Sequence, residues 1–332
     1  MTSVLVAVYN SEKTLRRCVD SLLSQTLEDV QIICIDDAST DSSLSILHEY
    51  ASIHKNIDVV ALAENHGQAY ARNQGIPLIR GEYTAFLDSD DWMEADALEK
   101  VEQVFKAHGE TDCVVLNVQY EDMRGRTRAY RSEVSDIAPP FTVLSGYEAF
   151  LKSLTWEVHG WYVARTALYQ QFPYDTTCHS YSDDNITMAH YLHSREVRWC
   201  DARYHFVQHP DSCTRGVSIR RFDWLRANES LHNQMIEWKV PAEVIDLYEE
   251  QRYYTLLACH RLFIRNRDTF THDQQIFIMN ELHHAWQNID TSTCLPWRVK
   301  YKPAYMPLHP FWKLFHLQQW LYCCFVKEAK KC

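Results

Sequence analysis

The sequence predicts an α/β protein with a mostly parallel central sheet flanked by helices, followed by an additional helical region. Through the first 117 residues, short apolar runs typical of buried strands alternate with segments whose apolar residues recur at helical spacing. From about residue 219 onward the spacing is helical throughout. Alternation of strand and helix favours a parallel sheet covered on both faces. We therefore predict two regions, 1–215 and 216–332, the first divided into halves at residue 117.

Five apolar runs predict the strands of the sheet. They lie at 4–9, 31–36, 58–62, 83–88 and 112–117. Helical spacing lies between them, at Leu15, Val19 and Leu22, at Leu44, Leu47 and Tyr50, and at Leu98, Val101 and Phe105. Because parallel sheets bind ligands at the carboxyl ends of their strands, the polar residues that follow these runs are candidates for chemistry.

Composition and charge exclude several classes of protein. A net charge of −11, from 44 acids and 33 bases, argues against a nucleic-acid partner but allows a small anionic ligand held locally. Eleven cysteines without a Cys-x-x-Cys pair predict neither a disulfide framework nor a zinc site. The opening MTSVLVAVYN lacks the pattern of a secretory signal, and no apolar run reaches the ~18 residues of a membrane span. We expect a cytoplasmic protein.

The stretch FLDSDDW, residues 86–92, places three aspartates directly after a buried run. Clustered carboxylates disfavour one another's ionised form unless a cation holds them. One interpretation is an acidic turn that caps the next helix, which would explain Asp91. It does not explain Asp88, which we expect to lie on the strand. Mg²⁺ or Mn²⁺ prefers such oxygen ligands, so Asp88 and Asp90 are candidate metal ligands.

The polar segment 118–145 separates the two halves of the first region. It contains four arginines, and two prolines follow its charged part. We interpret it as an exposed loop or an edge hairpin.

Four blocks identify a resemblance. They read VLVAVYNSEKTLRRCVDSLLSQT, IICIDDASTDSS, ENHGQAYARNQG and GEYTAFLDSDDW. In this order and spacing they resemble family-2 glycosyltransferases with the GT-A fold, the inverting type that builds bacterial capsules, lipopolysaccharides and exopolysaccharides. The resemblance is strong over the first ~100 residues, weaker to about residue 215, and says little about the remainder.

The resemblance implies a nucleotide-sugar donor, with UDP as the expected nucleotide, and a divalent metal on its diphosphate. Mn²⁺ or Mg²⁺ on Asp88 and Asp90 would stabilise the charge that develops as the glycosidic bond breaks. His209, in the segment YHFVQHPDS, is the candidate for a further metal ligand, with His205 behind it.

The resemblance also implies a set of nucleotide contacts. Asp37 matches the acid that accepts the uracil imide N–H, and Arg72 lies in the block G-x-x-x-A-R-N with Gly67 and Asn73. Arg72 supports either the phosphates or the acid cluster; alternatively, it pairs Asp36 or Asp88. The other residues assigned to the nucleotide are Ala7, Tyr9, Glu12 and Ser89.

A second pair of acids, in HSYSDDNITMAHYL, opens a predicted helix. The resemblance implies that Asp184 is the general base that deprotonates the acceptor hydroxyl, with Asp183 in place of the usual glutamate. That replacement leaves the assignment between the two open, and either acid could instead serve as a helix cap. Trp161 is the candidate for stacking on an acceptor sugar, with an ordinary core position as the alternative.

The tail, residues 310–331, reads PFWKLFHLQQWLYCCFVKEAKK. Aromatic and aliphatic residues cover much of a helix that is too short to span a bilayer, with lysines at both ends. Such a helix either lies in a membrane interface or packs on the domain as a closing helix.

Together these patterns predict an inverting, metal-dependent glycosyltransferase acting on a glycan or lipid-linked acceptor. It would lie in the cytoplasm or peripherally on the inner face of the membrane. A sugar-nucleotide pyrophosphorylase is disfavoured because Tyr9-Asn10-Ser11-Glu12 is not a glycine-rich phosphate loop. A binding or scaffold protein that kept the fold and lost the chemistry is the other alternative, disfavoured by the presence of Asp88, Asp90 and Asp184.

Overall fold

The computed structural model describes residues 1–122, 124–129, 141–177, 179–208, 217–294 and 305–326. The chain divides into two compact units, Met1–Ser212 and Cys213–Cys332. The sequence placed the boundary between its two regions at residues 215 and 216.

The first unit is built on one sheet, to which ten strands of the described residues contribute. The strands are β1 (Thr2–Val8), β2 (Val30–Asp36), β3 (Ile57–Ala61), β4 (Tyr83–Phe86), β5 (Trp92–Met93), β6 (Thr111–Glu121), β7 (Thr127–Ala129), β8 (Val143–Ser145), β9 (Tyr162–Arg165) and β10 (Glu196–Val207). The helices are α1 (Leu15–Leu23), α2 (Ser43–Ile53), α3 (Gln68–Gly75), α4 (Ala97–Ala107), α5 (Gly146–Ser153), α6 (Thr166–Gln171) and α7 (Ser182–Leu192).

Strand order in the sheet is β3-β2-β1-β4-β9-β6-β10-β5, with β7 beside β6 and β8 beside β10. The first four strands are parallel to one another, and β10 is parallel to β6. Strand β9 lies antiparallel between β4 and β6. The predicted α/β class is confirmed, with the parallel part of the sheet concentrated in the first half of the unit.

Burial explains why the strands read as continuous apolar runs. All seven residues of β2 are buried, and six of the seven in β1. Helix α1 covers this sheet with Leu15, Cys18, Val19 and Leu22, which are at most 1% exposed. A strand buried on both faces has no solvent face, so the alternation of polar and apolar residues disappears.

Of two local expectations, one changes in the structure and the other is met. Strand β4 ends at Phe86, so Asp88 lies beyond the strand in the following turn rather than on it, contrary to the sequence prediction. Strand β6 continues to Glu121 and pairs antiparallel with Thr127–Ala129, so the arginine-rich segment begins as the expected hairpin. Residues 130–140 lie outside the described residues.

The second unit is helical over its described residues. Its helices are α8 (Asp223–Glu237), α9 (Ala242–Arg265), α10 (His272–Asn288), α11 (Thr291–Cys294) and α12 (Trp312–Phe325). Its core contains Leu256, Ile278, Leu282, Trp286 and Phe315, each at most 3% exposed. No helix in the described parts of the chain is both long and apolar enough to cross a membrane.

Candidate active site

The carboxyl ends of three strands meet at one edge of the sheet, as the parallel arrangement requires. The Ser11 and Ser89 hydroxyls, which follow β1 and β4, lie 2.7 Å apart and share a hydrogen bond. The loops after β1 and β2 are joined where Thr40 N donates to Asn10 Oδ1 at 2.8 Å. The acids after β2 and β4 therefore belong to one site.

The turn after β4 contains the three aspartates in different environments. Asp88 and Asp90 are partly exposed, whereas Asp91 is 1% exposed. Asp91 accepts hydrogen bonds from the Tyr204 hydroxyl and the Val207 amide, both at 2.7 Å. Burial and the neighbouring charges of Asp88 and Asp90 raise the pKa of Asp91 well above its usual value. Asp91 thus holds the turn against β10.

The helix-cap interpretation of Asp91 is wrong. Helix α4 begins at Ala97, and the residue that precedes it is Asp96. Asp91 lies before β5 and has both oxygens occupied by β10. The sequence reveals the acid but not its partners, because β10 lies more than a hundred residues further along the chain.

Arg72, on α3, is 1% exposed and forms an ion pair with Asp88. Its guanidinium carbon lies 4.6 Å from the ring centre of Phe86 and 5.2 Å from that of Tyr174. Its Nε and Nη1 atoms are buried and have no hydrogen-bond partner among the residues that the structure describes. Of the alternatives that the sequence left open, the Asp88 ion pair is present, and two donor nitrogens remain available to a further acceptor.

A network that sequence reasoning missed supports the aspartate turn from the other side. Arg17 donates to the Asp90 carbonyl at 3.0 Å and to Glu121 at 3.1 Å. The indole N–H of Trp92 also donates to Glu121, at 2.7 Å, and its ring stacks on His205 at 3.7 Å between centres. No sequence signal connects these residues, since α1, β5, β6 and β10 are brought together only by the fold.

His205 is buried in this network, its Nε2 3.3 Å from a Glu94 oxygen, and burial lowers its pKa. His209, the other candidate, lies outside the described residues. Among the residues that the structure describes, no group of three or more His, Cys, Asp or Glu side chains is arranged to hold a metal. Mg²⁺ and Mn²⁺ usually need fewer protein ligands, because substrate phosphates and waters complete their shell. The partly exposed carboxylates of Asp88 and Asp90 fit that kind of site.

Asp37 is 2% exposed and is occupied by the loop that precedes α3. Its Oδ1 accepts the His66 amide at 2.8 Å, and its Oδ2 accepts the Gly67 amide at 2.7 Å. The Asn65 side chain donates to Oδ2 as well, at 2.9 Å. Asp37 therefore anchors this loop, a function that its position after β2 did not reveal.

The anchored loop also contacts the segment that leads into α7. Gly67 has a φ of +89°, and a Cβ at this position would lie 2.9 Å from the Nδ1 atom of His179. That same Nδ1 atom lies 3.1 Å from the His66 carbonyl oxygen. Glycine is required here by both the backbone conformation and the close approach.

The remaining candidates for nucleotide contacts line the same edge. Tyr9 is 43% exposed immediately after β1, and Ala7 is the partly exposed residue of that strand. Glu12 accepts the Ser42 amide at 3.1 Å and so joins the loops that follow β1 and β2. The structure brings these three residues to the edge at which Asp37 and Ser89 lie.

Asp183 and Asp184 lie in the first turn of α7, and both are partly exposed. Burial raises the pKa of Asp183, with Arg72 opposing that shift and Asp88 adding to it. Burial and the charge of Asp183 raise the pKa of Asp184 well above its usual value. Asp183 therefore interacts electrostatically with Arg72 and with Asp88 of the turn after β4.

Trp161 immediately precedes β9 and packs against the core of the unit. Its ring centre lies 5.5 Å from that of Phe206 and 6.1 Å from that of Tyr204. The side chain is partly exposed. These contacts match the core alternative, and the exposed part remains able to meet a ligand.

An open, half-parallel sheet with paired carboxylates at its carboxyl edge defines a nucleotide-binding α/β protein of the GT-A type. The family model described as glycosyl transferase family 2 matches residues 3–177. The chain belongs to this family.

Relatives of similar sequence each match part of the chain. A putative glycosyltransferase, EpsH, of Bacillus subtilis is 43% identical over 36% of this chain and 35% of its own. A poly(ribitol-phosphate) beta-glucosyltransferase of Bacillus spizizenii is 46% identical over 29% of this chain and 16% of its own. The matched segments thus span about a third or less of these relatives.

A solved structure extends the likeness in fold to nearly the whole chain. The crystal structure of S. aureus TarS 1–349 in complex with UDP-GlcNAc aligns with a TM-score of 0.70 over 97% of this chain and 88% of that one. Sequence identity across the alignment is 18%, so this likeness concerns the fold. The GT-A fold predicted from the sequence is confirmed.

Proposed function

We propose that the protein is an inverting, metal-dependent glycosyltransferase that moves a sugar from a UDP-sugar to a glycan or lipid-linked acceptor. The observation that carries the proposal is the buried Arg72, which pairs with Asp88 after β4 and packs on Tyr174 in the segment that leads into α7. Asp88 of the β4 turn raises the pKa of Asp183 on α7, although the two residues are far apart in the chain. This interaction supports a reaction in which the donor and an acceptor base on α7 act on one bond.

The donor would bind along the edge formed by β1, β2 and β4. The proposed nucleotide contacts are Ala7, Tyr9, Glu12, Asp37, Arg72 and Ser89. UDP is the proposed nucleotide because the family resemblance assigns uracil to Asp37. The TarS structure with UDP-GlcNAc, which shares this fold, also supports that choice.

A metal ion, Mn²⁺ or Mg²⁺, bound by Asp88 and Asp90 would act as a Lewis acid on the donor diphosphate. Asp91 holds the turn against β10, and the side chains of Asp88 and Asp90 in this turn are partly exposed. Arg17 fixes the Asp90 carbonyl from the opposite side. His209 is retained as a proposed further ligand.

Arg72 would act beside these carboxylates. Its pairing with Asp88 leaves Nε and Nη1 buried and without acceptors in the described part of the chain. Unsatisfied buried donors are costly, and a diphosphate oxygen would satisfy them with a charge-assisted hydrogen bond. We therefore assign Arg72 to the phosphate side of the site.

Asp184 would act as the general base. Its carboxylate takes the proton of the acceptor hydroxyl as that oxygen forms a bond to the anomeric carbon. The bond between the anomeric carbon and the diphosphate oxygen breaks, and the UDP leaves with the electron pair. Attack from the face opposite the leaving group inverts the anomeric centre. Burial and Asp183 raise the pKa of Asp184, which makes its carboxylate a stronger base.

The acceptor would approach from the side of α7, near Trp161, which is the proposed stacking residue. Relatives named for poly(ribitol-phosphate) and for chondroitin support a polymeric or lipid-linked glycan as the acceptor. We place the reaction in the cytoplasm, at the inner face of the membrane when the acceptor is lipid-linked.

The direct test incubates the purified full chain with Mn²⁺ and a panel of UDP-, GDP- and TDP-sugars, and measures nucleotide release and product. We expect nucleotide release from a UDP-sugar. This release should require the metal and increase when an acceptor is added. The variant Asp184→Asn, which lacks the proposed base, is the control that shows whether nucleotide release depends on catalysis. Full activity in a metal chelator, or release from non-uridine donors alone, would contradict the proposal.

A further inference from the structure

Helix α12 presents one of its faces to the second unit and the other to solvent. Phe315 and Gln319 are fully buried, and Trp312 is half-buried within the helical core. The opposite face consists of apolar residues between 41% and 82% exposed: Phe311, Leu314, Leu317, Trp320, Leu321 and Phe325. The buried face matches the closing-helix interpretation, and the interface-helix interpretation stays a prediction for the exposed face.

The exposed residues form a continuous stripe. Leu314, Leu317, Leu321 and Phe325 recur at three- and four-residue intervals, which places them on one side of a helix. Large side chains that stay exposed along a whole helix face mark an interaction surface, because single exposed apolar residues are common but contiguous ones are not.

The charges around this stripe point to one kind of occupant. Residues 311–332 contain four lysines and one glutamate, in a chain with a net charge of −11. Lys313 is exposed at the beginning of α12, and three of the lysines follow its end in sequence. Arg265 donates to the Val326 carbonyl at 3.2 Å and so adds a cation beside the end of the helix. An apolar stripe with cations at both ends complements a surface that is anionic outside and apolar beneath.

We propose that the exposed face of α12 binds the surface of an anionic lipid bilayer, with the helix lying parallel to the membrane plane. The apolar stripe would enter the region between headgroups and acyl chains while the flanking cations contact lipid phosphates. The buried face keeps the helix attached to its unit, so the docking needs no unfolding. This proposal concerns a surface of the second unit and does not depend on the proposed activity.

The test measures co-sedimentation of the full chain with vesicles of phosphatidylcholine alone or with a third of phosphatidylglycerol. We expect binding to the anionic vesicles, at least about tenfold weaker binding to the neutral ones, and weakening by salt. The variant Leu317→Gln/Trp320→Gln/Leu321→Gln should bind the anionic vesicles at least about tenfold less, because it removes exposed apolar area that would enter the bilayer. The control Leu247→Gln/Ile276→Gln changes exposed apolar residues on α9 and α10 and should bind like the parent.

Two further measurements keep the proposal open to refutation. Lys313→Glu should weaken binding to anionic vesicles only, while circular dichroism shows that each variant retains its fold. Equal binding by the triple variant and the parent, or no vesicle binding by the parent, would refute the proposal. The proposal would also be refuted if the parent sediments as a dimer and the triple variant as a monomer, since a second copy would then cover the stripe.

Discussion

Arg72 and Asp88 form an ion pair in which the arginine is almost wholly buried and the aspartate side chain is 31% exposed. The pair joins α3 to the turn after β4, where the candidate metal ligands lie. Because two nitrogens of Arg72 have no partner among the described residues, a further acceptor would complete the hydrogen bonding of this pair. The five predictions below start from this part of the site.

Arg72→Lys should keep a buried cation near Asp88 but lose the planar set of donors. We expect UDP affinity to fall by about ten- to a hundredfold, as for loss of charge-assisted hydrogen bonds. Uridine affinity should change little, since it carries no phosphate. Isothermal titration of both ligands distinguishes the roles, with Arg80→Lys, at an exposed ion pair, as the control. Equal losses for UDP and uridine would assign Arg72 to structure alone.

Asp90→Asn should abolish transfer and remove the dependence of UDP binding on Mn²⁺. The fold should survive, because the side chain is partly exposed and lies in a turn. Titration of Mn²⁺ and UDP, together with thermal unfolding, measures both effects. Asp29→Asn, at an exposed aspartate elsewhere in the unit, is the matched control. Parental turnover in Asp90→Asn would refute the metal assignment.

Asp184→Asn should lower turnover by a factor on the order of 10²–10⁴, the usual contribution of a positioned base. UDP binding should survive in this variant. Asp183→Asn should do less, and it should move the acidic limb of the pH–rate profile to lower pH. The shift is to lower pH because the negative charge of Asp183 is one cause of the raised pKa of Asp184, and the variant removes that charge.

Rates and UDP affinities of these two variants are measured side by side. If Asp183→Asn is inactive and Asp184→Asn is active, the general base is Asp183 rather than Asp184. The proximity of Asp183 to Arg72 and Asp88 makes that comparison necessary. Activity in both variants would refute a base on α7.

Asp37→Ala should weaken UDP binding and also lower the free energy of unfolding by about 2–4 kcal/mol, since three donors of the 65–67 loop lose their acceptor. Asn65→Ala removes one of these bonds without changing the carboxylate. If Asp37 contacts uracil directly, Asp37→Ala reduces the preference for UDP over CDP, and Asn65→Ala does not. An unchanged preference in both variants would restrict Asp37 to anchoring the loop.

Tyr204→Phe should destabilise the first unit by about 1–3 kcal/mol, because the buried carboxylate of Asp91 loses a hydrogen-bond donor. Its hydroxyl also accepts the Asp88 amide, at 3.3 Å, so the turn itself loses support. Urea unfolding measures the change, and Tyr147→Phe, at an exposed tyrosine on α5, is the control. No difference between the two variants would show that Asp91 does not depend on this bond.

Local sequence patterns predicted much of the fold. Strands β1 and β2 are buried on both faces, so their apolar runs are continuous and easy to find. Helices α8 to α10 have apolar residues at helical spacing because each buries one face. The sequence does not predict strand β9, because the apolar run around its four residues is too short for periodicity to show.

The sequence by itself determined which residue types stand at each strand end, since these follow directly from the order of the chain. Asp37, Asp88 and Asp90 could be found in this way, and so could the acid pair that opens α7. Tertiary structure alone decided how each is used. Asp91 binds β10, Asp37 binds the loop before α3, and Arg72 pairs with Asp88. Their partners are distant in sequence, and a hydrogen bond depends on position in space, which only the folded sheet specifies.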